Sequence, residues 1–73
     1  MTIEETGQRV LLQRRALKLS QRQLAERSGI PTQVISNVER GKQDVFAQRM
    51  AALAKALKVS TDYLLGLREK IHG

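Results

Sequence analysis

Cysteine is absent from this chain, which removes disulfides, thiolate nucleophiles and cysteine-based zinc sites together and fits a reducing compartment. Tryptophan is absent as well, and the only aromatic rings are Phe46 and Tyr63. Two rings make no stacking platform for unpaired bases, which argues against a single-stranded nucleic-acid binder of that type. The core must therefore be aliphatic, drawn from a hydrophobic share of 41%. Histidine occurs once, as His72, next to the C-terminal residue, where it has no partners for a metal site or for acid–base catalysis and is expected to be solvated. With no Ser/His/Asp or Cys/His set and no glycine-rich phosphate loop, the chain is not expected to be an enzyme and implies no cofactor or small-molecule ligand. It shows no apolar leader and no run approaching a membrane span, so a cytoplasmic protein without membrane association is expected.

Acidic residues are also scarce. Seven Asp and Glu stand against thirteen Lys and Arg, for a formal charge of +6, which favours a polyanionic partner. The basic residues are spread along the chain, as on a folded cationic surface. A membrane-surface helix would need the apolar stripes that are the only material for a core. At 73 residues the chain reads as a single domain, 1–73, with no low-complexity segment and no evident internal repeat.

Every periodic stretch is helical. The first runs from about Ile3 to Lys18, with Thr2 and Glu5 as a capping box and a stripe of Ile3, Gly7, Val10, Leu11, Arg14 and Leu17. An arginine in an apolar stripe needs an acid, and Glu39 is the candidate for a buried pair with Arg14. The second helix starts at Ser20, where Gln23 completes a capping box and Leu19 and Leu24 form a hydrophobic staple, and it ends at Gly29. Pro31 suits the first turn of a third helix from about Thr32 to Arg40. After Gly41 and the polar connection Lys42, Gln43 and Asp44, a fourth helix is expected from Val45 to Leu57, with Phe46, Met50, Leu53, Ala54 and Leu57 on one face. Ser60 caps a fifth helix stapled by Val59 and Leu64, whose stripe continues through Leu67 and Ile71. Gly66 weakens its middle, and residues 68–73 are expected to fray.

The third helix carries the functional information. Around a helical wheel, Val34, Ile35 and Val38 fall on one side, while Thr32, Gln33, Ser36, Asn37 and Arg40 fall on the other with no acid among them. A carboxamide donates and accepts at once, which suits adenine in the major groove, so Gln33 and Asn37, one helical turn apart, are the foremost candidates for reading base edges. Thr32 and Ser36 add hydroxyls, and Thr32 a methyl for thymine. Arg40 can reach a guanine or a phosphate, and its place at the far end of the helix favours phosphate. Gln21 and Arg22 at the start of the second helix, and Lys42 and Gln43 before the fourth, are candidates for phosphate contact, because helix starts attract anions.

The stretches LSQRQLAERSGI, VISNVERGK, LAKALKVS and STDYLLG, in this order and spacing, resemble the phage-repressor and Cro-like helix-turn-helix family, the XRE type. The resemblance spans nearly the whole chain. It implies an all-α, five-helix lambda-repressor-like domain that binds double-stranded operator DNA through the third helix as a transcriptional regulator, and it favours a repressor acting on an inverted repeat. Such domains commonly act as homodimers. Here the fifth helix, through Leu67 and Ile71, is the expected interface, with packing back onto the first helix as the alternative. Pro31 stands where these domains often carry Ser or Thr and lacks the hydroxyl. Because many family repressors continue into an oligomerisation domain, dimerisation is expected to come from this domain itself or to be weak. A protein-binding adaptor or antitoxin on the same fold is the alternative function.

Overall fold

Thr2 opens the first helix by accepting the Glu5 backbone N–H at 3.1 Å, and α1 then runs Ile3–Ala16. The computed structural model describes residues 2–67, and among these it is helical throughout its regular structure. The remaining elements are α2 (Gln21–Ser28), α3 (Thr32–Glu39), α4 (Ala47–Leu57) and α5 (Thr61–Leu64). Helix α1 lies across α3, α2 packs on α3 and α4, and α5 closes against α4 and α1. Val10, Leu24, Ile30, Ile35, Val38, Met50, Leu53, Leu57 and Leu64 meet between them in one aliphatic core. Among the described residues no helix is long and apolar enough to cross a membrane.

Several helix ends share one device. After α1, the Leu19 N–H reaches the Arg14 carbonyl at 3.0 Å and the Lys18 N–H the Arg15 carbonyl at 2.9 Å; after α4, Val59 reaches Ala54 at 3.0 Å and Lys58 reaches Lys55 at 3.2 Å. This paired pattern satisfies carbonyls that a helix leaves open, and it requires a left-handed residue at the turn. Lys18 and Lys58 fill that position, each at φ 59°. Gly41 and Gly66 fill it after α3 and α5. The segments ALKLS (16–20) and ALKVS (56–60) thus make the same join, each ending in a serine that caps the next helix. The first helix consequently stops at Ala16, two residues short of the expected Lys18.

Other boundaries also differ from expectation. Helix α4 begins at Ala47, and Phe46, assigned to its buried face, is 72% exposed. The backbone there is extended, so consecutive side chains point to opposite sides, and burial of Val45 turns Phe46 outward. Helix α5 is a single turn, because the chain turns off at Gly66. Leu67 is 71% exposed, whereas Ile71, His72 and the remainder of 68–73 lie outside the described residues. The Thr2–Glu5 box is half formed: the Glu5 carboxylate accepts from the Thr2 hydroxyl at 3.3 Å.

Two polar features of α1 complete the packing. Gln13 is buried, and its Nε2 donates to the Leu57 carbonyl at 3.0 Å, tying α1 to the end of α4. The Arg9 guanidinium lies 4.8 Å from the centre of the Tyr63 ring, with both residues half-buried, an attraction worth about 0.5–2 kcal/mol. Gly7 sets how closely α1 approaches α3. A Cβ there would overlap the Val38 carbonyl oxygen and stand 3.1 Å from its carbon. Gly7→Ala is expected to destabilise the fold by about 1–3 kcal/mol, the usual cost of overpacking, read as a lower thermal midpoint. An unchanged midpoint would show that the α1–α3 contact yields without cost.

Candidate nucleic-acid interface

Helix α2 starts from a complete capping box, with Ser20 Oγ accepting the Gln23 N–H at 3.0 Å and Gln23 Oε1 accepting the Ser20 N–H at 2.8 Å. It ends at Gly29, whose φ of 74° lets its N–H bond to the Ala25 carbonyl at 2.9 Å. Pro31 stands one place before the expected first turn. It is the N-cap of α3, makes no side-chain capping bond, and accepts the Val34 and Ile35 N–H groups on its carbonyl at 3.0 and 3.1 Å. Ile35 and Val38 then bury the inner face of α3 completely or nearly so. An eight-residue helix is too short to be stable alone, so this burial and the joints at its two ends fix its direction.

The joint at the far end of α3 is ionic. Arg14 Nε and Nη2 reach Glu39 Oε2 and Oε1 at 2.6 and 2.9 Å, a two-pronged fork with side-chain exposures of 11% and 3%. Arg14 Nη1 also donates to the Leu19 carbonyl at 2.8 Å, and Gln21 Nε2 donates to Glu39 Oε1 at 2.9 Å. One carboxylate thereby joins the end of α1, the start of α2 and the end of α3. The hydrogen bond to Glu39 raises the Arg14 pKa against the opposing effect of burial, so the guanidinium keeps its charge. A raised value contributes stability below the unfolded pKa that is lost only as pH rises through the folded one, so this contribution is constant across neutral pH.

With Glu39 turned inward, the outer face of α3 carries no acid. Thr32, Gln33 and Arg40 are exposed, and Ser36 and Asn37 are half-buried beside them. The structure brings Gln33, Asn37, Arg40 and Gln43 into one hydrogen-bonded group. Asn37 Oδ1 accepts from Gln33 Nε2 at 3.1 Å and from Arg40 Nη2 at 2.8 Å, while Asn37 Nδ2 donates to Gln43 Oε1 at 3.2 Å. Arg40 Nε also lies 3.4 Å from the Ser36 carbonyl. Lys42 is exposed at the turn after α3. Arg22 is exposed on α2, 3.7 Å from Glu26 in a pair at an open surface that holds it weakly. The Gln21 side chain, by contrast, is occupied by Glu39.

The Gln33–Asn37 spacing was legible along the helix. The link from Asn37 to Gln43 was not, because it crosses the turn at Gly41, and Gln21 gave no sign that its amide completes the ion pair. Among the described residues no group of His, Asp or Glu is placed to hold a metal ion.

The helix-turn-helix family profile matches residues 11–64, which contain α2, the glycine turn and α3. The chain belongs to the XRE-type helix-turn-helix family. It is similar to an uncharacterised transcriptional regulator in the ATPase CF(0) region of Rhodospirillum rubrum, 44% identical over 64 residues that make up 88% of this chain and 59% of that protein. It is also similar to the repressor protein C2 of Salmonella phage P22, 35% identical over 89% of this chain and 30% of the repressor. The chain therefore spans 59% or less of the length of these two relatives. Among solved structures, the restriction-modification controller protein C.AhdI of Aeromonas hydrophila superposes with a TM-score of 0.81 at 35% identity, over 85% of this chain and 94% of that one. The DNA-binding domain of the P22 c2 repressor superposes with a TM-score of 0.82 at 35% identity, over 89% and 86%. The family is one of DNA-binding regulators rather than an enzyme class.

The fork is open to a direct test. Arg14→Ala leaves the Glu39 carboxylate buried without its countercharge and is expected to cost about 3–5 kcal/mol in denaturant unfolding. Wild-type stability would show that the pair does not hold the helices together.

Proposed function

We propose that this chain is a sequence-specific double-stranded DNA-binding transcriptional regulator of the repressor type, acting in the cytoplasm and without catalysis. The observation that carries the reading is the acid-free polar face of α3, held outward by the inward-facing Glu39 on a helix-turn-helix of a DNA-binding family. In this reading α3 enters the major groove, where each base pair presents its own pattern of donors, acceptors and methyl groups. Thr32, Gln33, Ser36 and Asn37 make up the face turned to the bases, with Gln33 its most exposed carboxamide and the foremost candidate to read one. Arg22, Arg40, Lys42 and Gln43 supply donors to the phosphates on either side. Gln21 contributes through its backbone N–H at the start of α2, since its side chain is engaged by Glu39.

The dimer belongs to the same proposal. Leu65 and Leu67 are 39% and 71% exposed and line a shallow cleft of about 250 Å³ with Thr2, Ile3, Thr6 and Asp44, and the two exposed leucines offer an apolar contact to a second copy. Two recognition helices related by a two-fold axis would meet successive major grooves about 34 Å apart, so the operator is expected to be an inverted repeat.

The test is selection of bound sequences from a random duplex pool, followed by titration of the selected site at several salt concentrations. The expected outcome is a symmetric motif and binding that weakens steeply with salt. A flat salt response with no enriched sequence would overturn the reading in favour of a protein-binding module. Gln33→Ala is expected to cost about 1–3 kcal/mol on the selected site and almost nothing on unrelated duplex, and an equal loss on both would remove Gln33 from base reading. Lys42→Ala is expected to weaken binding to all duplexes alike and to reduce the salt slope by about one; an unchanged slope would take Lys42 out of phosphate contact.

A further inference from the structure

The hydrogen-bonded group on α3 has a direction, and Arg40 sets it. A guanidinium has donors only, so the Asn37 atom it touches at 2.8 Å must be the acceptor oxygen. That oxygen then also receives Gln33 Nε2 at 3.1 Å, and the Asn37 nitrogen is left to donate to Gln43 Oε1 at 3.2 Å. Each neighbouring amide is thereby oriented. Gln43 turns its oxygen inward and its amino group away, leaving donors, which are what a phosphate requires. Gln33 spends one N–H on Asn37 and, among the described residues, keeps its oxygen and second N–H for the acceptor–donor pair that an adenine edge requires. Asn37 itself is half-buried, with both lone pairs of its oxygen and one N–H engaged, whereas Gln33 is exposed.

We infer that Asn37 is a positioning residue: it holds the Gln33 amide and the Arg40 guanidinium in one polarity and, through Gln43, ties them to the turn before α4, and it does not read a base itself. The inference rests on the DNA-reading role proposed above for α3. Its physical basis is that an unrestrained glutamine can rotate its terminal amide and exchange donor for acceptor, blurring any pattern it reads. Fixing the amide before binding also removes part of the ordering cost that the complex would otherwise bear.

The experiment is competition binding of the full chain to its selected operator and to every single-base variant of it, for wild type, Gln33→Ala, Asn37→Ala, the double variant and Asn37→Asp. Asn37→Ala is expected to relax the base preference at the same base pair as Gln33→Ala, by about 5- to 150-fold, the range of one bidentate contact. At that pair the double variant should be no more relaxed than Gln33→Ala alone. Asn37→Asp retains acceptor oxygens for Gln33 and Arg40. It is expected to keep the preference while weakening binding to all sequences alike, because its charge faces the phosphates. A direct adenine reader would instead lose its preference as aspartate, having no donor for the ring nitrogen.

Relaxation at a different base pair, additive losses, or loss of preference in Asn37→Asp would overturn the positioning role and leave the proposed function standing. A wild-type preference at the Gln33 pair that survives Asn37→Ala would do the same. A wild type without any base preference would overturn both. Should Asn37→Ala fail to fold, Asn37→Asp decides between the two roles by itself.

Discussion

The buried fork between Arg14 and Glu39 is the constraint on which the geometry of this domain depends. Placing two charges in an aliphatic interior is costly, and the cost is offset only when geometry and further hydrogen bonds satisfy both partners. Here Glu39 receives the two prongs of Arg14 and the Gln21 amide, and Arg14 adds the Leu19 carbonyl. Among the described residues, no buried side-chain nitrogen or oxygen lacks a partner. A set of this kind ties three helices through directional hydrogen bonds at one carboxylate. The fork has a second effect of equal weight. It draws the only acid of α3 away from the surface, so that the opposite face of the helix carries no negative charge.

Rigidity and chemistry are arranged in layers outward from that joint. Ile35 and Val38 seat α3 on the core, Gly7 lets α1 lie against its end, and the complete capping box fixes where α2 begins. The outermost layer is the amide and guanidinium group of Gln33, Asn37, Arg40 and Gln43. A surface of free polar side chains would present an average of many patterns. Here the hydrogen bonds among the four side chains couple their donors and acceptors into one arrangement.

The sequence announced the elements whose cause is local. Ser20 with Gln23, Gly29, and the alternation of Val34, Ile35 and Val38 with polar neighbours each act within a few residues, and the helix-turn-helix followed from them. The pairing of Arg14 with Glu39 was legible because an arginine on an apolar stripe has few ways to be satisfied. The features that escaped are non-local or depend on backbone conformation. Gln13 lies off the expected apolar stripe of the first helix, and its burial depends on the distant Leu57 carbonyl that it meets, just as the Gln21 side chain is taken up by Glu39 from another helix. Phe46 was placed in the core because helical spacing was extended across a stretch that is extended backbone. The fifth helix was drawn too long, because Gly66 was read as a weakness within a helix and instead ends it.

The two lysines at left-handed turns carry a further consequence. Glycine would occupy positions 18 and 58 with less conformational cost, as it does at 41 and 66. Lysine at those places adds positive charge at solvent-facing corners while leaving some backbone tension in the fold. Exchanging them for glycine would relieve the tension and at the same time lower the net charge from +6 to +4, the formal charge less one for each lysine. Backbone ease and positive surface charge are therefore opposed at these two corners.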